Sequence, residues 1–210
     1  MIKSEGTYEI ITPKTIGLTF NRKSLGRRSG HRGLFERLNL LGYTIKENDE
    51  EREKIYNNFI KIADKKRKVT DSDLIGVMNT LNYKTNFVLP LEFIDLDYTT
   101  KRKNPRARLV INYYGKRESS YGEGDGPVDA AFNAMRKILG NNVNILTYNS
   151  GSVGIGSDAI ARAEITIKLD DNLITGEGYS TDIVKAAVAS FIDAVNEYKI
   201  RMQQKQKDYK

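Results

Sequence analysis

Apolar residues recur at helical spacing in three short stretches in the first half of the chain. Each stretch carries a helix boundary signal: Gly42 ends the first, acidic residues over 47–53 open the second, and Thr70 and Asp73 have capping-box spacing before the third. The pattern therefore predicts three short amphipathic helices between residues 31 and 82. Their apolar positions are Leu34, Phe35, Leu38 and Leu41; Ile55, Phe59, Ile62 and Ala63; and Leu74, Val77, Met78 and Leu81.

From residue 107 onward the pattern alternates instead, and one arrangement occurs twice. An alternating strand (109–114, then 165–169), a turn and a second strand ending in Gly-Glu-Gly precede an amphipathic helix. Residues 143–150 also alternate and predict a further strand between the copies. We therefore predict an α+β fold, in which a small helical unit precedes a pseudo-twofold domain of antiparallel strands backed by two helices. Because helices cover one face of such a sheet, its other face favours a dimer.

Prolines and charge runs divide the chain into segments. Pro13 lies in an extended N-terminal stretch, and Pro90, Pro105 and a lysine and arginine cluster indicate a boundary before residue 107. The predicted segments are an extended linker subdomain over 1–30, a small helical subdomain over 31–82, a linker over 83–106, the strand-and-helix domain over 107–198 and a basic tail over 199–210.

The net charge of +7 on 210 residues is unevenly distributed. Residues 1–108 carry a net +8 and residues 199–210 a net +4, whereas residues 109–198 carry −5. Nucleic-acid binding requires a basic stripe on a folded face with aromatic residues for stacking, so these basic connecting runs predict no nucleic-acid partner. We also expect no membrane association and a cytoplasmic location, because no apolar run approaches the roughly 18 residues of a membrane span and no signal peptide is evident.

The chain has no cysteine and a single histidine, His31. Disulfides, thiolate nucleophiles, cysteine zinc sites and metal centres built on paired histidines are therefore excluded. We expect no metal and no cofactor in this chain. His31 is a candidate acid–base group, with a solvated surface histidine as the alternative, and the extended context of Tyr8 by itself predicts only packing.

A glycine-rich segment over 122–130 ends a predicted strand and opens a helix. Pro127 stands where a first-turn proline is favoured, and free N–H groups at Gly126, Val128 and Asp129 would face an anion such as a carboxylate. The alternative is a tight strand–helix turn with Asp125 as the N-cap. The second copy, over 178–183, offers the same two interpretations, with Ser180, Thr181 or Asp182 as the cap.

Tyr148 ends an alternating stretch that runs into three glycines. Its ring could line a small apolar pocket and offer the hydroxyl to a ligand. The alternative is that Tyr148 only packs at the edge of the sheet. The residues alone leave both open.

Several motifs resemble the C-terminal leucine-regulatory domain of 2-isopropylmalate synthases, within the 2-isopropylmalate, citramalate and homocitrate synthase family. They are Gly-Asp-Gly-Pro-Val-Asp-Ala-Ala over 124–131, Leu-Thr-Tyr over 146–148, Gly-Ser-Asp-Ala over 156–159 and Gly-Tyr-Ser-Thr-Asp-Ile-Val over 178–184. The stretches over 8–17, 28–31, 41–43, 63–66 and 70–74 resemble the linker subdomains of the same enzymes. The likeness extends over nearly the whole chain except the tail.

The resemblance implies an acetyl-CoA-dependent, metal-dependent condensation with a 2-keto acid on a TIM barrel that this chain lacks. The divalent metal and acetyl-CoA belong to that barrel, which is a partner on the same or a separate polypeptide, so we expect no synthase activity from this chain alone. The resemblance also implies that Tyr8 contributes to a neighbouring subunit's active site. His31 lies in a variable context and is a weaker candidate for a catalytic role.

Residues 107–198 would then be a regulatory domain that binds leucine as a feedback inhibitor at a homodimer interface. The alternatives are an isoleucine-sensing citramalate synthase domain and a dimerisation module without a ligand. The ligand-binding residues implied are Asp125, Gly126, Val128, Asp129, Ile145, Tyr148, Thr181, Asp182 and Ile183.

Overall fold

The structure is a computed structural model that describes residues 25–208 except 47, 67, 86, 101–103, 141 and 154–159, with side chains described as far as Gln203. Three helices precede two groups of three strands, and each group is followed by a helix. The elements are α1 (His31–Leu40), α2 (Asp49–Ala63), α3 (Asp71–Thr80), β1 (Leu91–Thr99), β2 (Arg106–Tyr113), β3 (Lys116–Glu123), α4 (Pro127–Leu139), β4 (Val143–Val153), β5 (Ile160–Leu169), β6 (Asn172–Ser180) and α5 (Ile183–Asp208).

Helices α1, α2 and α3 form the helical unit and confirm the three predicted helices. Asn48 caps α2 by accepting a hydrogen bond from the Glu50 N–H at 3.1 Å. The capping box predicted at α3 is present in both directions between Thr70 and Asp73, which fixes the start of that helix. The apolar faces of the three helices meet in a core that includes Leu34, Leu38, Phe59, Leu74 and Met78.

The strands form two three-stranded antiparallel sheets, in the orders β1-β2-β3 and β4-β5-β6. The predicted α+β fold is confirmed. Strand β1 lies inside the segment 83–106 that we predicted as a linker, and α5 continues through most of the predicted tail, 199–210. The domain therefore consists of two repeats, β1-β2-β3-α4 and β4-β5-β6-α5.

A constant offset of 56 residues relates the second and third strands and the helix of the two repeats. The positive-φ turns start at Tyr114 and Asp170, β3 and β6 start 56 residues apart, and the helices begin after Gly126 and Asp182. Aligning the two Gly-Glu-Gly sequences, as the sequence pattern suggests, is therefore wrong by two residues. The true counterpart of Gly122 is Gly178.

Steric contact explains this glycine pair. A Cβ on Gly122 would lie 2.0 Å from the carbonyl oxygen of Ala130, and a Cβ on Gly178 would lie 2.1 Å from that of Ala186. Only glycine lets the strand backbone approach its helix this closely. The two glycines thus set the distance between each helix and its sheet.

Helices α4 and α5 lie against their own sheets and also contact each other. The rings of Phe132 and Phe191 meet edge to face, with centroids 5.4 Å apart, in the core that both repeats share. Helix α5 contributes residues such as Val184, Val188 and Tyr198 to this main core, whereas Ile200 lies in the core of the helical unit. Among the described residues, no helix is long and apolar enough to cross a membrane.

Candidate functional site

The N-terminus of α4 has a glycine cap. Gly126 is the N-cap in extended backbone (φ −144°, ψ 170°), and no side chain caps the helix there. Pro127 occupies the first turn as predicted, and a Cβ at Gly126 would meet no heavy atom within 4 Å. Backbone N–H groups and the helix dipole at such an end attract an anion.

Two carboxylates stand beside this helix end. Asp125 is exposed, and its backbone N–H donates to Asp129 Oδ2 at 3.2 Å. The alternative in which Asp125 caps the helix is therefore wrong, because Gly126 occupies the cap and Asp129 turns back toward the preceding loop. The start of α4 therefore combines N–H groups suited to an anion with carboxylates suited to a cation.

The N-terminus of α5 is occupied by the chain's own carboxylate. Asp182 Oδ1 accepts from the N–H groups of Val184 at 2.7 Å and Lys185 at 3.2 Å, so Asp182 is the cap among the three candidates. The hydroxyl of Tyr98 donates to Asp182 Oδ2 at 2.9 Å, and this hydrogen bond raises the pKa of Tyr98. Thr181 and Ile183 flank the cap and are exposed.

The first strands of the two repeats correspond through their β-bulges. Ile94 in β1 and Leu146 in β4 are the extra residues where the register shifts. Counting from each bulge, Tyr98 corresponds to Ser150, and their partners across the sheet, Ala107 and Ala163, are again 56 residues apart. The tyrosine of the first repeat that contacts the capped end of α5 thus has a serine as its counterpart on β4 of the second repeat.

Apolar side chains adjoin the end of α4. Val128, Ile145 and Tyr148 are half-buried and pack against the main core. The ring of Tyr148 meets Phe132 edge to face, with centroids 5.4 Å apart and the ring planes at 82°. Its hydroxyl is shielded from solvent and has no hydrogen-bond partner among the described residues. The ring therefore packs against α4, as one of the two interpretations has it.

Of the two candidate catalytic residues, His31 lies in the helical unit. His31 begins α1, stacks on Tyr56 with centroids 3.8 Å apart and stands 3.5 Å from Glu53 Oε2. The imidazole is about half exposed, in the helical unit. Tyr8 lies outside the described residues. No group of three potential metal ligands occurs in the part of the chain that the structure describes.

Sequence reasoning missed the contact of Tyr98 with Asp182 and the correspondence between Tyr98 and Ser150. The hydrogen bond from Tyr98 to Asp182 spans 84 residues, and no local pattern reports such a contact. The correspondence between Tyr98 and Ser150 cannot be recognised from a regular sequence pattern, because the extra residue at each bulge breaks the alternation on which strand prediction depends. A search for two strands with the same interrupted alternation could have found it.

Comparison with known families gives two matches that together reach from residue 1 to residue 199. Residues 68–199 match the LeuA allosteric (dimerisation) domain, and residues 1–67 match the homocitrate synthase post-HMGL domain-like family.

Several curated relatives carry the description 2-isopropylmalate synthase. The protein of Ruminiclostridium cellulolyticum is 33% identical over 199 residues, and that of Shewanella loihica is 34% identical over 199 residues; each alignment covers 93% of this chain. The protein of Halothermothrix orenii is 32% identical over 204 residues, 94% of this chain. The chain spans 37–38% of the length of these relatives and aligns with their C-terminal region.

Proposed function

Because this chain belongs to the LeuA allosteric (dimerisation) domain family, we propose that it is the regulatory portion of a 2-isopropylmalate synthase and binds leucine at the start of α4. The observation that carries the proposal is the difference between the two helix ends. Asp182 and Tyr98 fill the end of α5, whereas Gly126 and Ser150 stand at the corresponding positions for α4. One half of the domain is therefore suited to a free zwitterion.

Each part of leucine has a partner of suitable chemistry here. The carboxylate binds the N–H groups of Gly126, Val128 and Asp129, and Asp129 or Asp125 accepts from the ammonium. The isobutyl group packs against Val128, Ile145 and Tyr148. Burial of its four carbons contributes about 3 kcal/mol at roughly 0.8 kcal/mol per carbon, so with the charged contacts an affinity near the micromolar range is expected.

The working protein is then a cytoplasmic homodimer joined to a catalytic barrel on the same or a separate polypeptide. The divalent metal and acetyl-CoA belong to the barrel. Leucine inhibits by favouring one arrangement of the helical unit, which carries His31, and of the segment with Tyr8 that reaches the partner's active site. The purified chain alone should release no thiol from acetyl-CoA with 2-oxoisovalerate.

Calorimetric titration with leucine, isoleucine, valine and lysine tests the proposal. We expect leucine to bind, and Gly126→Asp to abolish the heat, because the new carboxylate would cap α4 as Asp182 caps α5. The backbone at Gly126 is extended and the space beside it is open, so the substitution should not disturb folding.

Gly30→Asp is the matched control. Gly30 is also an N-cap without a side-chain hydrogen bond and with open space at Cβ, but it belongs to α1. It should leave the leucine titration unchanged. Stronger heat with isoleucine than with leucine would select the citramalate synthase type, and no heat from any branched-chain amino acid would leave a dimerisation module.

A further inference from the structure

Helix α5 belongs to two cores at once. Residues from Val184 to Tyr198 pack in the main core, and Ile200, two residues further on, is wholly buried in the core of the helical unit. A cleft of about 740 Å³ lies beside this helix, with walls from the start of α3, the start of β1 and the end of β6. We call the parts on its two sides, the helical unit and the regulatory domain, the two bodies. Contacts across α5 therefore decide whether the bodies move together.

Two buried basic side chains of the helical unit contact acidic residues of α5. Arg37 of α1 donates to Asp71 Oδ1 and Oδ2 at 2.8 and 2.6 Å, and its Nη1 lies 2.9 Å from Glu197 Oε2. Each of these three side chains is 5% exposed or less. One guanidinium thus joins α1, α3 and α5 through its fork of donors.

Lys68 makes the second connection, just before α3. Its Nζ lies 2.5 Å from Asp193 Oδ2 on α5 and donates to the carbonyl of Glu177 in β6 at 2.9 Å. Asp193 Oδ2 also accepts from the Glu177 N–H at 3.0 Å. Lys68 is therefore bound to the helix and the sheet of the second repeat at once.

Such an arrangement resists separation. A buried charge whose partner is withdrawn keeps its desolvation cost without compensation, so opening the contact is strongly unfavourable. An exposed ion pair carries no such penalty, because water replaces the lost partner. The buried pairs thus oppose independent motion of the bodies on either side of the cleft.

We propose that the network of Arg37, Lys68, Asp71, Asp193 and Glu197 makes the helical unit and the second repeat one cooperative body. A ligand that stabilises the regulatory domain then stabilises the helical unit as well. Among the described residues, the helical unit and the regulatory domain share no other buried ion pair. The transmission of a leucine signal through this network rests on the proposed function. The coupling of the two bodies by the buried ion pairs, which we call the joint, does not.

Native-state hydrogen exchange on the full chain tests the joint. In the wild type, the slowest amides of α1, α3 and α5 should exchange with the same opening equilibrium. In Arg37→Met, the amides of α1 and α3 should exchange at least about a hundredfold faster, while those of α4 and β5 change less than about threefold. Arg32→Met, which removes an exposed arginine paired with Glu36 on the same helix, should change neither.

Lys68→Met provides a second, milder variant should Arg37→Met fail to fold. We expect the same difference, with faster exchange in α1 and α3 and little change in α4 and β5. Equal exchange in wild type and either folded variant would overturn the proposal, as would α1 and α3 opening independently in the wild type. Saturating leucine should slow exchange in both bodies of the wild type but only in the regulatory domain of the variants. If calorimetry shows no leucine binding, the proposed function fails, and the exchange data without leucine still decide the joint.

Discussion

At the scale of single residues, glycine marks where backbones touch in this domain. Gly178 sits on β6 against α5, where an added methyl group would meet the carbonyl oxygen of Ala186 at 2.1 Å and the backbone nitrogen of Ser190 at 2.4 Å. Backbone atoms in a packed helix cannot turn aside as a flexible side chain can. At both Gly122 and Gly178, the group that approaches the glycine backbone is the helix.

Gly178→Ala should therefore destabilise the chain by about 1–3 kcal/mol, the usual cost of overpacking, because helix and strand must separate. Urea unfolding followed by circular dichroism measures the change. Gly151→Ala is the control on β4, at the other edge of the same sheet, since a Cβ there meets nothing within 4 Å. Similar unfolding midpoints for the two variants would contradict the steric explanation.

At the scale of the element, the start of α3 depends on a carboxylate. Asp73 Oδ2 accepts from the Thr70 N–H at 3.0 Å, and Asp73 Oδ1 lies 2.6 Å from Lys66 Nζ. Burial opposes ionisation, but the hydrogen bonds from Lys66 and Thr70 outweigh it and hold the pKa of Asp73 below its ordinary value of 3.8. The ionised carboxylate thus stabilises the folded state.

Because its folded-state pKa is lowered, Asp73 should contribute its full stability above the unfolded-state pKa and lose it as pH falls through the folded-state value. Asp73→Asn should thus lower the free energy of unfolding at pH 7 by about 1 kcal/mol, with the difference from wild type shrinking below pH 4. Urea titrations across this pH range measure it. Asp171→Asn, at an exposed pair with Lys168, should show a much smaller difference. A gap independent of pH would contradict the assignment.

The predictable elements were those with uninterrupted periodicity. The three amphipathic helices, both hairpins and the glycine-capped α4 followed from spacing, Pro127 and turn residues. Strand β1 did not, because Pro90 precedes it and the bulge at Ile94 interrupts its alternation. The role of Asp182 could be narrowed only to a choice among three caps, since Tyr98, its partner, lies 84 residues away.

At the scale of the whole molecule, the two bulges leave apolar side chains in water. Ile94 and Leu146 are 42% and 51% exposed, and Leu146 stands on the strand that also carries Ile145 and Tyr148. Exposed apolar surface of this kind marks interaction sites. A second copy of the chain placed here would cover it and would close the proposed leucine site from one side.

Leu146→Asp should therefore weaken the proposed dimer, since it places a charge in an apolar contact while removing little packing from the monomer. Sedimentation velocity from about 1 to 100 μM should show a dimer for the wild type and a shift toward monomer for the variant. Gly30→Asp adds the same charge in the helical unit and should remain dimeric. A monomeric wild type, or a variant as dimeric as wild type, would contradict this surface.

The cap formed by Asp182 bears on how many equivalents of amino acid each chain can bind. Its carboxylate is tethered to the helix that it caps, so its local concentration is constant and far above that of any free metabolite. The end of α5 therefore already holds an anion, and a free amino acid would have to displace it there. If leucine binds at the start of α4, as proposed, each chain should titrate with one equivalent of amino acid, even though the repeat occurs twice.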